Sequence, residues 1–184
     1  MKEQSTITQV DFRQHTDEKE YYQCLFEACD FSDTDLLHTD FDNCTFHNCN
    51  FNLCRVKTGM HNIRFVTCSM TGTDFSELPR FSNSFRFEDC QMNYANFSTC
   101  KLHKTTFQKC NLYEAYFNEA DMTASVFEEC NLERTSFFQA NLERVDFSTA
   151  FNFSIDPNTC RLKKAIFSES ELRGLVAHLN IIIR

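Results

Sequence analysis

The chain has few of the residues that usually make tight turns, and it lacks an apolar run long enough to cross a membrane. Its 184 residues include three glycines, two prolines and no tryptophan. Three glycines are too few for a glycine-rich phosphate loop, so the turns must rely on Asn, Asp, Ser and Thr. No apolar run reaches 18 residues, and no charged-then-apolar leader opens the chain. We therefore expect a cytoplasmic protein that does not bind membranes.

A catalytic or metal-binding pattern is also missing. The histidines are scattered and show no metal-ligand spacing such as HExxH. They are His15, His38, His47, His61, His103 and His178. We therefore predict no enzymatic activity, no cofactor and no metal site.

What the chain does have is a period of five residues. Between residues 87 and 147 every fifth residue is large and apolar, and a small residue stands two positions before nearly all of them. A period of five fits neither an α-helix nor an alternating strand. Self-similarity at a fixed period predicts a solenoid. The large residues are Phe87, Met92, Phe97, Leu102, Phe107, Leu112, Phe117, Met122, Phe127, Leu132, Phe137, Leu142 and Phe147.

Phenylalanine alternates with leucine or methionine in this series, which adds a period of ten. If four repeats make one coil, like side chains stack in four columns, with coils about 4.8 Å apart, as in paired strands. Each coil is then a square with two opposite Phe walls and two opposite Leu/Met walls. The predicted columns are Phe87, Phe107, Phe127, Phe147 and Phe167; Met92, Leu112 and Leu132; Phe97, Phe117 and Phe137; and Leu102, Met122, Leu142 and Leu162.

The repeat resembles that of the pentapeptide-repeat family, a small residue, then Asp or Asn, then Leu or Phe, then two variable residues. Cys110-Asn111-Leu112 and Ala120-Asp121-Met122 carry this resemblance, which extends over nearly the whole chain. It implies an all-β fold, a right-handed quadrilateral β-helix of roughly seven coils.

The eleven cysteines follow the same pattern. All of them occupy the small position two residues before a large one, as Cys110 and Cys130 do. A reduced cysteine behaves as a small buried hydrophobe, so we predict packed free thiols. Zinc ligation and disulfides are the alternatives, and disulfides belong to an oxidising compartment.

The repeat divides the chain into three parts. Residues 1–20 are polar and predict an N-terminal cap, and residues 21–167 carry the β-helix repeat. The register breaks near residues 57–62, 76–84 and 151–158. The first two breaks are either surface bulges or recognition loops. If they are recognition loops, Arg80 and Phe81 are the candidate partner-binding residues.

Residues 168–184 change to a helical period. Ser168 and Glu171 have the spacing of a capping box, and a short β-branched run after the helix predicts a strand. This module either caps the coils or joins two chains. We predict a homodimer, and the interface residues are Leu172, Leu175, Val176, Leu179, Ile181 and Ile183.

Charge is concentrated at one end. The net charge of −8 lies entirely within residues 1–54, and the remainder of the chain is neutral. The outward acidic residues either form a solvated face or imitate DNA, whose strands carry one charge about every 3.4 Å. They are Glu27, Asp30, Asp33, Asp35, Asp40 and Asp42.

Basic residues offer a weaker pattern. Lys104, Arg144 and Lys164 share one column, but Ala124 interrupts it and acidic columns flank it. We therefore expect no direct binding of nucleic acid.

The C-terminal module and the register breaks resemble the Qnr-type quinolone-resistance branch of the pentapeptide-repeat family. That resemblance implies a DNA mimic that binds DNA gyrase or topoisomerase IV and protects it from quinolones or similar toxins. The alternative is a scaffold that binds an unrelated protein partner.

Overall fold

The computed structural model describes residues 1–14, 20–79, 84–179 and 181–182. Arg80, Phe81 and Ile183, which the sequence assigns to partner and dimer contacts, lie outside these ranges. The described part contains short strands and two 3₁₀ helices, Glu169–Leu175 and Ala177–Leu179. The strands are β1 Lys2–Glu3, β2 Thr6–Thr8, β3 Glu20–Tyr22, β4 Leu25–Glu27, β5 Asp35–Leu36, β6 Asp40–Asp42, β7 Thr45–His47, β8 Arg55–Val56, β9 Met60–His61, β10 Ile63–Val66, β11 Phe85–Glu88, β12 Thr106–Gln108, β13 Val126–Glu128, β14 Asp146–Phe147 and β15 Ile166–Phe167.

The longest sheet is parallel and runs the length of a rod. Its strands stack in the order β15-β14-β13-β12-β11-β10-β7-β4-β2, with one coil between neighbours. The chain therefore makes about eight turns, one more than the sequence suggested. A second sheet holds β1, β3, β6 and β9, and β5 pairs with β8. The predicted all-β quadrilateral solenoid is confirmed.

Each coil has four walls, which we name A to D in chain order. In the coil that begins with β12, walls A to D carry Phe107, Leu112, Phe117 and Met122. The predicted columns form: Phe107 stacks on Phe127 with ring centroids 4.8 Å apart, on wall A. Across the core, the Phe107 and Phe117 rings meet edge to face, 5.7 Å apart at 87°. All four of these side chains are fully buried, so the core is one continuous stack of side chains.

The corners of the coils explain how the chain turns with so few glycines. Among the described residues, 24 non-glycine residues have a positive φ, and nearly all stand two positions after a large inward residue. Lys104, with φ of 57°, is one of them, and its N–H donates to the Thr123 carbonyl of the next coil at 3.1 Å. Left-handed backbone in a non-glycine residue costs about 1–3 kcal/mol. The hydrogen bond to the next coil helps to offset that cost.

The first register break is a one-residue deletion and not a projecting loop. Phe41 lies opposite Met60, 19 residues on, whereas Leu36 lies opposite Val56, 20 residues on. The shortened corner is held by Asp40, which accepts hydrogen bonds from the Thr58 hydroxyl at 2.8 Å and from the Gly59 N–H at 3.1 Å.

The other two breaks insert or rearrange residues. Phe65 lies opposite Phe87, so residues 76–84 add length between walls C and A. Leu78 of this insertion is buried. In the third break, Phe153 and Ile155 are buried, while Asn152 and Pro157, which occupy the in-register positions, are exposed.

The N-terminal segment is built as a coil of the rod. β1 pairs with β3 and β2 pairs with β4, in parallel register. Ile7 is buried in the wall A column, and Phe12 stacks on Phe31 with centroids 4.1 Å apart. The segment expected to cap the rod therefore covers the first Phe-rich coil by extending the same pattern.

The C-terminal module differs from its prediction. The helices are 3₁₀ and not α, and the Ser168 side chain makes no capping bond; its hydroxyl instead lies 3.0 Å from that of Ser170. Gly174 sits against Phe153, where an added Cβ would lie 2.4 Å from the carbonyl oxygen, and Gly174 itself accepts a bond from Ile155. This backbone docking sets the path of the segment. Ile181 and Ile182 lie in no strand.

Candidate partner-binding surfaces

The six predicted acidic residues encircle the rod and do not line one face. Glu27 lies on wall A, at the end of β4, and Asp35 begins β5 on wall C. Asp40 and Asp42 both lie in β6 on wall D. Asp30 and Asp33 belong to wall B, where Asp30 forms a β-bridge to Asn50 of the next coil. A partner that approaches one wall therefore meets at most two of them directly.

Most of these carboxylates already have partners in a neighbouring coil. Asp42 lies 2.8 Å from His61, Glu27 lies 3.6 Å from His47, and Asp35 pairs with Arg55. Asp30 accepts hydrogen bonds from the hydroxyl of Ser32 and the amide of Asn50. Within the described part of the chain, Asp33 is the one member of the six without a hydrogen bond or ion pair at its side chain.

An open groove lies at the corner between walls B and C, beside Asp33 and Asp35. Its volume is about 420 Å³, and Arg13 and Phe12 of the first coil form one side. Arg13 binds the Asp11 carboxylate at 2.8 Å, and this contact holds the pKa of Asp11 below its usual value. The groove therefore combines the unpaired carboxylate of Asp33, the carboxylate of Asp35 that pairs with Arg55, and one cation that is already engaged.

The predicted dimer residues divide into two groups. Leu172 and Leu179 are about half exposed, at 46% and 52%, and Ile181 is 57% exposed. Leu175 and Val176 are partly buried, and Leu175 packs against the core. The exposed apolar side chains of Leu172, Leu179 and Ile181 all belong to the C-terminal module.

Sequence reasoning missed a cationic surface on wall D of the C-terminal coils. The predicted column of Lys104, Arg144 and Lys164 lies at one corner, and the other cations lie on the flat of the same wall. The signal was present in the sequence as basic residues directly before or after Leu102 and Leu162. The additional cations are Lys101, Arg161 and Lys163.

The thiols are free, as predicted, and all are buried except Cys160, which is partly exposed. Most donate to a main-chain carbonyl, as Cys68 does to Phe46 at 3.4 Å. Burial raises the pKa of Cys54 and of Cys100 to about 12, so both stay protonated at neutral pH. In the described ranges no three His, Cys, Asp or Glu side chains are grouped to hold a metal ion. No helix there is long and apolar enough to span a membrane.

Comparison with known proteins supports the fold. One solved structure of QnrB1, a plasmid-mediated fluoroquinolone resistance protein, matches with a TM-score of 0.64 at 18% identity, covering 99% of this chain and 97% of that one. The full-length QnrB1 structure matches with a TM-score of 0.58 at 19% identity, covering 97% and 99%. HetL of the cyanobacterium Nostoc, involved in regulation of heterocyst differentiation, has a TM-score of 0.36 at 14% identity, covering 95% and 89%.

Family comparison supports the repeat. No curated protein sequence matches the chain significantly. A family model described as pentapeptide repeats in eight copies matches residues 22–56, and one described as a pentapeptide repeat region matches residues 100–176. Together they cover more than half of the chain, on both sides of the insertion at residues 76–84. Together with the five-residue period and the four-walled coil, these matches show that the chain belongs to the pentapeptide-repeat family.

Proposed function

We propose that this protein binds a bacterial type II topoisomerase, DNA gyrase or topoisomerase IV, and protects it from quinolones or similar toxins. The observation that carries the proposal is the match to QnrB1 along the full length of the rod, because that protein is a fluoroquinolone resistance protein. The protein acts by binding, as a scaffold and not as an enzyme.

The acidic end supplies a physical mechanism. A topoisomerase holds DNA in a positively charged groove, and a rod with regularly spaced carboxylates is attracted into such a groove. The six predicted acidic residues follow one another around a single coil, so every wall of this coil presents negative charge to a partner. Asp33, Asp35 and Asp40 are exposed. Among the described residues Asp33 has no hydrogen bond or ion pair at its side chain, so its carboxylate is available to a partner cation.

The test is a supercoiling assay of gyrase, and of topoisomerase IV, at an inhibitory concentration of ciprofloxacin. Adding the protein should restore activity. The double variant Asp33→Asn with Asp35→Asn should lose much of this protection and show a flatter salt dependence of binding. The matched control, Glu119→Gln with Glu133→Gln, removes the same charge from exposed residues of the C-terminal coils and should protect normally.

Two results would contradict the proposal. Failure of the wild type to protect either enzyme would favour the scaffold with an unrelated partner. Equal loss of protection in the two double variants would show that the acidic end has no special role.

We also propose that two copies join at the C-terminal module. Leu172, Leu179 and Ile181 are exposed there, and each aliphatic side chain contributes about 1.5–3 kcal/mol when fully buried. The wild type should be a dimer in light scattering, and Leu172→Glu with Leu179→Glu should be a folded monomer. Leu53→Glu, at an equally exposed leucine far along the rod, should remain a dimer. A monomeric wild type at micromolar concentration would show that the module only caps the coils.

A further inference from the structure

Wall D of the C-terminal coils carries six cations on one surface. Three lie on the flat of the wall, directly beside an inward leucine, and three lie at the corner that follows. Every one of them is exposed, and within the described residues none forms an ion pair. The flat group is Lys101, Arg161 and Lys163, and the corner group is Lys104, Arg144 and Lys164.

The in-register pairing of successive coils aligns these cations along wall D. Lys101 bridges to Asp121, Asp121 to Asn141, and Asn141 to Arg161, so Lys101 and Arg161 lie on one ladder. Three coil spacings separate them, about 14 Å. The corner residues Lys104 and Lys164 have φ values of 57° and 61°, so they occupy equivalent corners on the same axis. The surface is therefore about 14 Å long and flat.

Few negative charges oppose it. Asp121 and Glu143 are the two carboxylates on these coils of wall D. Asp121 is already engaged, because His103 approaches it at 2.7 Å and Thr123 donates to it. Lys101 lies beside Asp121 on the ladder, and Lys163 lies one coil from Glu143, but neither lysine forms an ion pair within the described residues.

We infer that this surface, which we call the cationic wall, binds the phosphate backbone of a nucleic-acid duplex. No exposed large apolar side chain lies among its outward residues, which include Thr123, Ala124 and Asn141. Protein partners usually bury a core of aromatic or aliphatic anchors, and single-stranded nucleic acid stacks on aromatic rings. Phosphates of a duplex need only exposed cations on an accessible surface, which this wall supplies.

The overall negative charge does not prevent this contact. The imbalance lies in residues 1–54, and the coil of Asp40 is three spacings, about 14 Å, from that of Lys101. The Debye length is about 8–10 Å at physiological salt. The acidic end and the cationic wall therefore act on separate partners or on separate parts of one partner. The inference does not depend on the proposed topoisomerase.

The test is fluorescence anisotropy with a labelled duplex of about 20 base pairs, titrated between about 50 and 200 mM salt. The wild type should bind weakly, with a slope of log K against log salt of about −4, as expected for four or five phosphate contacts. Lys101→Gln with Lys163→Gln should reduce the slope by about 2 and weaken binding to every sequence alike.

The matched control is Lys109→Gln with Arg134→Gln, which removes two cations from walls A and B that pair with Glu129 and Glu114. Its binding slope should equal that of the wild type, and thermal melts should show both variants folded. Absence of duplex binding at about 50 mM salt, or an equal effect of both double variants, would overturn the inference. Tighter binding to polyglutamate than to the duplex would also overturn it and assign the wall to an acidic protein.

Discussion

The two halves of the rod, residues 20–79 and 84–167, solve the same packing problem in different ways. In the first coils of the N-terminal half, aromatic rings occupy walls A, B and D, as Phe46, Phe51 and Phe41 do, while wall C carries Leu36 and Val56. The aromatic column of wall C begins at Phe75, which stacks on Phe97. In the C-terminal half, the core rings from Phe87 to Phe147 alternate between walls A and C, and the buried rings of Phe85 and Phe153 stand outside this alternation. In both halves the inward side chains of successive coils stack without a gap. The fold therefore requires continuous stacking of large side chains and does not require one residue type on each wall.

The halves also differ in regularity and charge. The N-terminal half contains a 19-residue coil and strands on three walls, whereas from β11 to β15 the only strands are on wall A and the other walls hold single bridges. The N-terminal end, residues 1–54, has all of the net negative charge, and the C-terminal half presents the cationic wall. A rod with one continuous core can therefore carry opposite charges at its two ends, because the outward side chains do not take part in the packing of the core.

The largest effect should come from breaking the core of the regular half. Phe117 stacks between Phe97 and Phe137, at 5.0 and 5.4 Å. Phe117→Ala should lower the free energy of unfolding by about 3–5 kcal/mol, through lost burial and a cavity. Denaturant unfolding measures this, and Phe138→Ala, at a ring that is 53% exposed, should change it by no more than about 0.5 kcal/mol.

The same truncation tests whether the halves are packed equally. Phe31 stacks on Phe12 and Phe51 at 4.1 and 4.5 Å, so Phe31→Ala should cost about as much as Phe117→Ala. A loss below about 1 kcal/mol at Phe31 would show that the irregular half relaxes around a cavity.

A smaller effect should follow from removing the side chain that holds the shortened coil. Asp40→Ala leaves the hydroxyl of Thr58, which is 3% exposed, without its carboxylate partner. An unsatisfied buried hydroxyl costs about 1–3 kcal/mol. Asp35→Ala removes an exposed ion pair with Arg55 and should cost below about 1 kcal/mol. Equal melting temperatures for the two variants would mean that the deletion needs no support from Asp40.

A further loss of stability should appear at alkaline pH. Burial raises the pKa of Cys54 and Cys100 from the ordinary value of 9.0 to about 12. The contribution of these neutral thiols is complete below pH 9 and is lost as pH rises toward 12. Urea unfolding at about pH 8 and about pH 11 should show the loss. Cys54→Ala and Cys100→Ala should each reduce it by a similar amount, one in each half.

A buried thiol should also be unreactive until the rod unfolds. Titration of the native protein should therefore count little beyond Cys160, and titration in denaturant should approach eleven. Early reaction of Cys54 would show that the irregular half opens locally, and would separate the two halves by their dynamics.

The sequence by itself determined the interior of this protein. The five-residue period states, residue by residue, which side chains point inward, and this is why the four columns, the buried thiols and the coil of about twenty residues could all be predicted from residues such as Phe107 and Cys110. The same local information does not fix what depends on docking. Ser168 and Glu171 have the sequence of an α-helical cap, yet contact between Gly174 and Phe153 accompanies a 3₁₀ helix.

Only the tertiary structure decided what lies side by side on the outside. Asp33, Asp35 and Asp40 are close in sequence, but each corner of the coil turns the chain by one wall, so they point in different directions. Lys101 and Arg161 are sixty residues apart, yet in-register stacking places them on one ladder. The physical reason is that the inward positions are constrained by the local repeat. Which residues become neighbours on the surface depends on the number of residues in each coil, and that number takes effect only when the whole turn is folded.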